Sequence, residues 1–427
     1  MKEEFLHFVW MYELFNKNDL HTVSGEEIEI VHPGQHNSDA GPDFFNAKVK
    51  IDGILWVGNV EIHIFSSDWQ KHGHNKDKAY DNVILHVVFK DDRVVTRSSG
   101  DPIPAMELTF RDRLYENYEI LLLNRQWIPC KNQIFKVDPF FIKQWLHKLS
   151  VERIESKTSD IRQMLLQNNQ NWEESFYQAL AGSFGFKKNS EPFRFLARSL
   201  PLKYLGKHKD NLLQIEAMLF GQAGFLQTAF PVDEYQGKLK KEYEFLQKKF
   251  SLKPLGEHLW KFMRLRPSNF PTIRIAQFAM LIYHSSHLFS KIIQAKDPDI
   301  IKDLFRIKAS GYWDEHYRFG KKSTKREKRT GETGINNILI NTVVPFLFLY
   351  GKSKGTADLS ERAIDILESL PPEDNSIILK WRKLGVKAEN AFDSQALLQL
   401  KNVYCDQKKC LNCQIGNQLI LQNSNEE

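Results

Sequence analysis

The sequence predicts an α+β protein: a mixed β-sheet with flanking helices in residues 1–135, then a mostly helical region. Three observations predict it. Residues 44–65 hold two strand-like runs around Asp52-Gly53, a dipeptide suited to a tight hairpin. Val83–Phe89 is a near-continuous apolar run, as a buried central strand needs. Beyond residue 110, apolar residues recur at helical spacing.

Taken in order, Phe5, Phe8, Val9, Tyr12 and Phe15 predict an amphipathic helix over 3–15. Glu27–His32 reads as a strand ending in the turn Pro33-Gly34-Gln35. Phe45, Ala47, Val49 and Ile51 alternate with polar partners, and Ile54–Phe65 follows as a long strand. Residues 77–82 suggest a short helical turn, and Val94-Val95 the start of another strand. Helices are predicted for 111–124, 138–167, 172–185, 190–199, 208–220, 235–249, 272–296, 335–350, 358–369, 376–384 and 393–403. Pro201, Pro254, Pro267, Pro271 and Pro371-Pro372 punctuate them. The expected division is 1–135, 136–400 and a cysteine-containing segment 401–427, of which 414–427 reads as a fraying end.

Length and an aromatic content rich in phenylalanine allow two or three ordered cores. The net charge of +6 suits a nucleic-acid partner without demanding one. Residues 1–15 carry Glu3, Glu4 and Glu13 and no long apolar block, unlike an export signal. No stretch reaches the roughly 18 apolar residues of a membrane span. The nearest, Ile338–Tyr350, is interrupted by Asn341 and Pro345. A cytoplasmic protein with no membrane partner is expected. Four cysteines in a chain of this length argue against a disulfide framework.

The chemistry concentrates near the start. Asp43 follows Gly41-Pro42 at the head of one strand, and Glu61 and His63 lie near the end of the next. Folding about Asp52-Gly53 sets Asp43 and Glu61 side by side, each about nine residues from the turn, and gives Asp43, Glu61 and His63 same-face parity if no bulge intervenes. Two carboxylates can hold Mg²⁺ or Mn²⁺, while a basic group positions or deprotonates water. His72, His74, Asp77 and Tyr80 follow, with His86 inside the apolar run. That density of histidine and carboxylate suits a metal or phosphate site, with His72 and His74 as further ligands and His86 readable as core.

This layout resembles the PD-(D/E)xK nuclease superfamily, with His63 where the family's lysine stands. The resemblance implies a restriction-endonuclease-like sheet and metal-dependent hydrolysis of phosphodiester bonds in DNA or RNA. Lysine supplies a permanent charge; histidine does so only when protonated. Lys48 and Lys50 have the wrong parity from Asp43 to replace it. A neutral His63 would instead ligate a softer metal such as Mn²⁺ or Zn²⁺. Two alternatives follow: a non-catalytic nucleic-acid- or protein-binding module on a degenerate nuclease fold, and a different metal-dependent hydrolase built on His72 and His74.

Cys405, Cys410 and Cys413 form C-x4-C-x2-C, with Cys130 far upstream as the remaining thiol. Three clustered thiols can share a metal, and the spacing matches the first three ligands of a plant-type ferredoxin. Zinc and an iron–sulfur cluster both stay open, as do free thiols. Arg318, Lys321, Lys322, Lys325, Arg326, Lys328 and Arg329 crowd a glycine-flanked segment behind Tyr312, Trp313, Tyr317 and Phe319. Cations interleaved with aromatics suit a phosphate backbone with stacked bases, in what reads as a flexible loop. Arg264, Arg266 and Arg274 could bind an anion or pair structurally. No Walker A loop, dinucleotide fingerprint, serine elbow or H-E-x-x-H is present.

Gly41-Pro42-Asp43-Phe44, Val60-Glu61-Ile62-His63, Asp68-Trp69, His72-x-His74, Arg266-Pro267-x-Asn269-Phe270-Pro271 and Tyr404–Cys413 together resemble the bacterial domain-of-unknown-function family 2851. That resemblance implies membership and brings no activity with it.

Overall fold

The helical spacing of Phe5, Phe8 and Val9 produces α1 (Glu3–Met11), which buries those residues with Leu6 and Trp10. The helix stops four residues short of the expected end. Glu13 turns to positive φ (50°), and Phe15 then folds back to stack on Trp10. The structure, a computed structural model, describes residues 1–422.

Strands β1 (Ile28–His32) and β2 (Gln35–His36) both pair with β3 (Phe44–Ile51). β3 pairs antiparallel with β4 (Ile54–Phe65) around Asp52 and Gly53, both at positive φ as the tight turn requires. α2 (Asp68–Lys71) and two 3₁₀ turns, His74–Lys76 and Lys78–Tyr80, then cross to β5 (Val83–Lys90), which runs parallel to β4. β6 (Ala105–Glu107) pairs parallel with β5 and ends a mixed sheet of order β1-β3-β4-β5-β6. Val95 is buried but forms no strand; Thr96 makes a single bridge to Pro102. β6 had no sequence signal, because three residues after Pro102 and Pro104 are too few to show alternation.

α3 (Asp112–Leu123) follows, and the chain from Leu400 onward returns to this same unit, which comprises residues 1–145 and that segment. Residues 414–421 do not fray. Gln414–Leu421 is a helix that buries Ile415, Leu419 and Ile420, and Asn117 donates to the carbonyls of Ile420 and Gln422 at its end. The rest of the segment read as fraying, 423–427, lies outside the described residues.

The second unit, residues 146–399, is helical around one large apolar core. The overall class is therefore α+β. The expected helix 272–296 is two: Pro271–His284 and Leu288–Gln294. His287 sits at positive φ (51°) between them, and the Glu173 carboxylate accepts from the amides of Phe289 and Ser290 at the second start. Glu332–Lys354 runs through Pro345 by widening to a π-turn at Leu339–Val343, which accommodates the missing amide. That stretch is long and apolar enough to cross a membrane, yet 78% of its apolar window is buried inside the protein. The short helices Leu202–Gly206 and Pro298–Asp303 fall below the length at which periodicity is readable.

Gly58 lets β4 approach the start of β5. A Cβ there would sit 2.4 Å from Ile84 Cγ2 and 2.7 Å from the Asn82 carbonyl oxygen. Gly58→Ala is expected to cost about 1–3 kcal/mol by overpacking. It should lower the urea midpoint with an unchanged slope; an unchanged midpoint would contradict the close approach.

Candidate metal centre

The period of two along β4 puts Glu61 and His63 on one face and Val60 and Ile62 on the other, all four buried. On β5, His86 lies opposite Glu61 in register. Its Nε2 is 2.8 Å from His63 Nδ1, and both rings are fully buried. The crossover supplies the other histidines. Trp69 anchors it: the indole is fully buried, donates to the Thr96 carbonyl and packs against the rings of His74 and His86. Gly73, at φ +80°, turns the chain between His72 and His74 so that both face the sheet. His72 Nδ1 lies 3.1 Å from His63 Nε2, and His74 Nε2 lies 3.2 Å from Glu61 Oε1. The His74 ring stacks on Tyr80.

Asp43 meets this group from β3, where Phe44 pairs with Val60. The Asp43 amide donates to Glu61 Oε2 at 3.0 Å, and the Ile62 amide donates to Asp43 Oδ2 at 2.9 Å. α1 adds His7, whose Nε2 is 3.3 Å from Asp43 Oδ2 and 3.9 Å from Glu3 Oε1. A bulge does intervene in β3, where Asn46 takes φ +57°: the register of Ile51 with Ile54 and Ala47 with Gly58 would set Asp43 opposite Ile62, and the shift at the bulge, which pairs Phe44 with Val60, brings it beside Glu61 instead. Lys48 is exposed, and Lys50 pairs with Glu29 at 2.8 Å. Asp77 is a cap, accepting from the Ala79 amide.

Two groups of side chains are spaced for an ion. Ligand atoms of His63, His72 and His74 all lie within 4.8 Å of one another, as do those of Glu3, His7 and Asp43. Glu61 Oε1, 3.6 Å from His63 Nε2 as well as close to His74, adds an oxygen to the first group. His74 Nε2 and His7 Nε2 are buried and meet a carboxylate oxygen at 3.2 and 3.3 Å without an aligned hydrogen bond, and a metal ion would satisfy such atoms. The three-imidazole group suits Mn²⁺, Fe²⁺ or Zn²⁺ better than Mg²⁺, which prefers oxygen. His86, behind His63, holds that ring's orientation as an outer partner of a ligand does. Glu3 and His7 carried a signal in the sequence, a carboxylate and an imidazole four residues apart on one helix face, but only the fold brings them to Asp43.

Electrostatics separate the members. Burial, reinforced by the neighbouring histidines, pushes His63 down to about 2; burial and His74 push His86 down to about 3. Both are neutral at pH 7, so His63 does not carry a lysine-like charge. Burial, then the charge of Asp43, raises Glu3 to about 7. Burial also raises Glu61, opposed by its contact with His74. Burial works to lower His7, but the close contact and charge of Asp43, with the charge of Glu3, outweigh it and the net shift is upward.

Cys130, Cys405, Cys410 and Cys413 come together around one cavity in the sheet-containing unit. In the helical unit, the basic segment is an ordered hairpin of His316–Arg318 and Lys321–Lys322, not a free loop. The Arg326 amide donates to the Asp314 carbonyl and the Gly320 amide to Asp233. Lys321, Lys322, Lys325, Arg326 and Arg329 are exposed, although Lys325 faces Glu315 and Arg329 pairs with Glu327. Arg318 lies over the rings of Phe262 and Phe270, and Lys328 is buried against Tyr317. The aromatics are not available to bases. Trp313 is fully buried, and Tyr312 stacks between Tyr235 and His316. Arg274 is structural too, bonded to Asn269 and Gln277 beneath Phe186.

Between pH 6.5 and about 3, the unfolded chain binds protons at positions 63 and 86 that the folded chain does not. Their linkage therefore lowers stability as pH falls through that window. Glu3 acts in the opposite sense below about pH 7. Nitrogen-15 NMR of metal-free protein at about pH 5 should show both rings as neutral tautomers; a protonated ring at either position would contradict the geometry.

The chain matches, over residues 3–376, the family model described as "Protein of unknown function (DUF2851)". The match takes in the whole histidine–carboxylate group and Cys130, and ends before Cys405. No curated protein and no solved structure matches the chain. With nearly its whole length covered, the chain belongs to the DUF2851 family.

Proposed function

We propose that the sheet-containing unit is a metal-dependent hydrolase of phosphodiester bonds, acting on DNA or RNA. The convergence of His63, His72 and His74 on one another and on Glu61 carries the reading, because clustered imidazoles beside a buried carboxylate, one of them with an unpartnered buried nitrogen, are a metal-binding arrangement. His63, His72, His74 and Glu61 would hold the ion. When bound, it would acidify a water and polarise a phosphoryl oxygen. The buried neutral His63 serves as a ligand in this scheme, replacing the earlier expectation of a base standing in for lysine. Asp43 fixes Glu61 through its amide and, with Glu3 and His7, offers a second position for a divalent ion at the same mouth. Exposure of His72 and partial exposure of Glu3 and Asp43 leave this side open to solvent.

Nucleic acid is favoured as substrate by the exposed cations Lys321, Lys322, Lys325, Arg326 and Arg329. Lys321→Glu/Lys322→Glu is expected to weaken DNA or RNA binding and flatten its salt dependence; an unchanged salt slope would remove the hairpin from the interface. The neutral His63 favours one second reading, a non-catalytic nucleic-acid module. Tight, salt-sensitive binding without cleavage under any metal would mark that case.

The direct test is cleavage of end-labelled single- and double-stranded DNA and RNA with Mn²⁺, Zn²⁺ or Mg²⁺. Cleavage with Mn²⁺ or Zn²⁺ is expected, falling at least about 100-fold in His74→Ala and in Asp43→Ala. Wild-type rates in both folded variants would refute the assignment.

A further inference from the structure

Cys130 lies in the turn after Trp127-Ile128-Pro129, and Cys405, Cys410 and Cys413 lie in the segment that closes the chain. More than 270 residues apart in sequence, they line one cavity with Leu121 and Gly416. All four are free thiols, three of them buried. The local backbone is shaped for this meeting. Cys405 ends a π-turn, Leu400–Cys405, and Cys410 opens a 3₁₀ turn whose carbonyl accepts from the Cys413 amide. Cys413 then caps the helix Gln414–Leu421. The amides of Ile415 and Gly416 and the Trp145 indole lie close to its sulfur. Gly416 is required for the approach, because a Cβ there would fall 2.2 Å from the Cys410 carbonyl oxygen.

The spacing of the sulfurs bears on the occupant. A tetrahedral zinc holds four sulfurs at about 2.3 Å, which places them about 3.8 Å from one another and leaves no further room between them. Among the described residues, no three cysteine sulfurs lie within 4.8 Å of one another. The cavity between them is about 20 Å³, large enough for a water-sized sphere. Sulfur and hydrocarbon walls give a water poor partners, so the space is not a hydration site. A cluster in which the thiolates bind separate irons spreads its ligands wider than one ion does. Lys409 on the cavity wall supplies positive charge near a thiolate-bound group.

We infer that Cys130, Cys405, Cys410 and Cys413 bind an iron–sulfur cluster, which fastens the C-terminal segment to the chain that follows the sheet. Binding replaces four thiol protons with four iron–sulfur bonds. The site is separate from the histidine–carboxylate group and does not depend on its function.

The test is iron, acid-labile sulfide and visible absorption on the full chain purified without oxygen. The expected result is about two to four irons per chain with matching sulfide and thiolate-to-iron charge-transfer absorption. Both should be lost in Cys130→Ser and Cys410→Ser, and retained in His72→Ala. The wild-type content is decisive even if a cysteine variant fails to fold. One zinc per chain without sulfide, or neither metal, would overturn the inference. So would iron that survives Cys130→Ser.

Discussion

The reciprocal clamp between Asp43 and Glu61 sets the rest of the site. Each carboxylate accepts a backbone amide from the other's strand, Asp43 N–H to Glu61 and Ile62 N–H to Asp43. These bonds fix the open end of the β3–β4 hairpin and leave Glu61 Oε1 directed at His74 and His63. They also bring two carboxylates together where solvent is scarce. Like charges in that setting need a compensating cation. His7 and His74 stand against them, and both present buried nitrogens without an aligned hydrogen bond. A divalent ion at this position would relieve the repulsion and satisfy the orphaned nitrogens together.

A second layer makes the arrangement specific. His63 is held from behind by His86, and the crossover that carries His72 and His74 is pinned by Trp69. A lysine at position 63 would bring a charged amine into a fully buried spot already ringed by imidazoles. Neutral histidine fits that spot without the desolvation cost of an ammonium. Histidine at this position is therefore consistent with a ligand's role and inconsistent with a cation's.

Much of this was legible in the sequence because it rests on local rules. The Asp52-Gly53 turn sets the β3–β4 register as far as Ala47 and Gly58, whereas the bulge at Asn46, which no sequence signal marks, then shifts it and places Asp43 beside Glu61. The Gly73 turn between His72 and His74 is likewise local. Glu3 and His7 were not legible as site residues, since their helix reaches Asp43 only through packing. The aromatics beside the basic hairpin misled for the same reason: Trp313 and Tyr312 follow a surface-binding pattern, yet the helical core claims them. The helix Gln414–Leu421 was hidden by its polar sequence neighbours; its apolar face, Ile415, Leu419 and Ile420, is short and finds its partners far away in the chain.

The central claim is that three imidazoles and a carboxylate form one metal centre. Manganese K-edge X-ray absorption on protein loaded with one Mn²⁺ tests it most directly, because manganese disfavours the thiolates of the cysteine site. The account predicts multiple scattering from three imidazole rings together with oxygen at the same ion, with the ring signal reduced in His72→Ala. A shell of oxygen alone, or a ring signal untouched by that substitution, would contradict it.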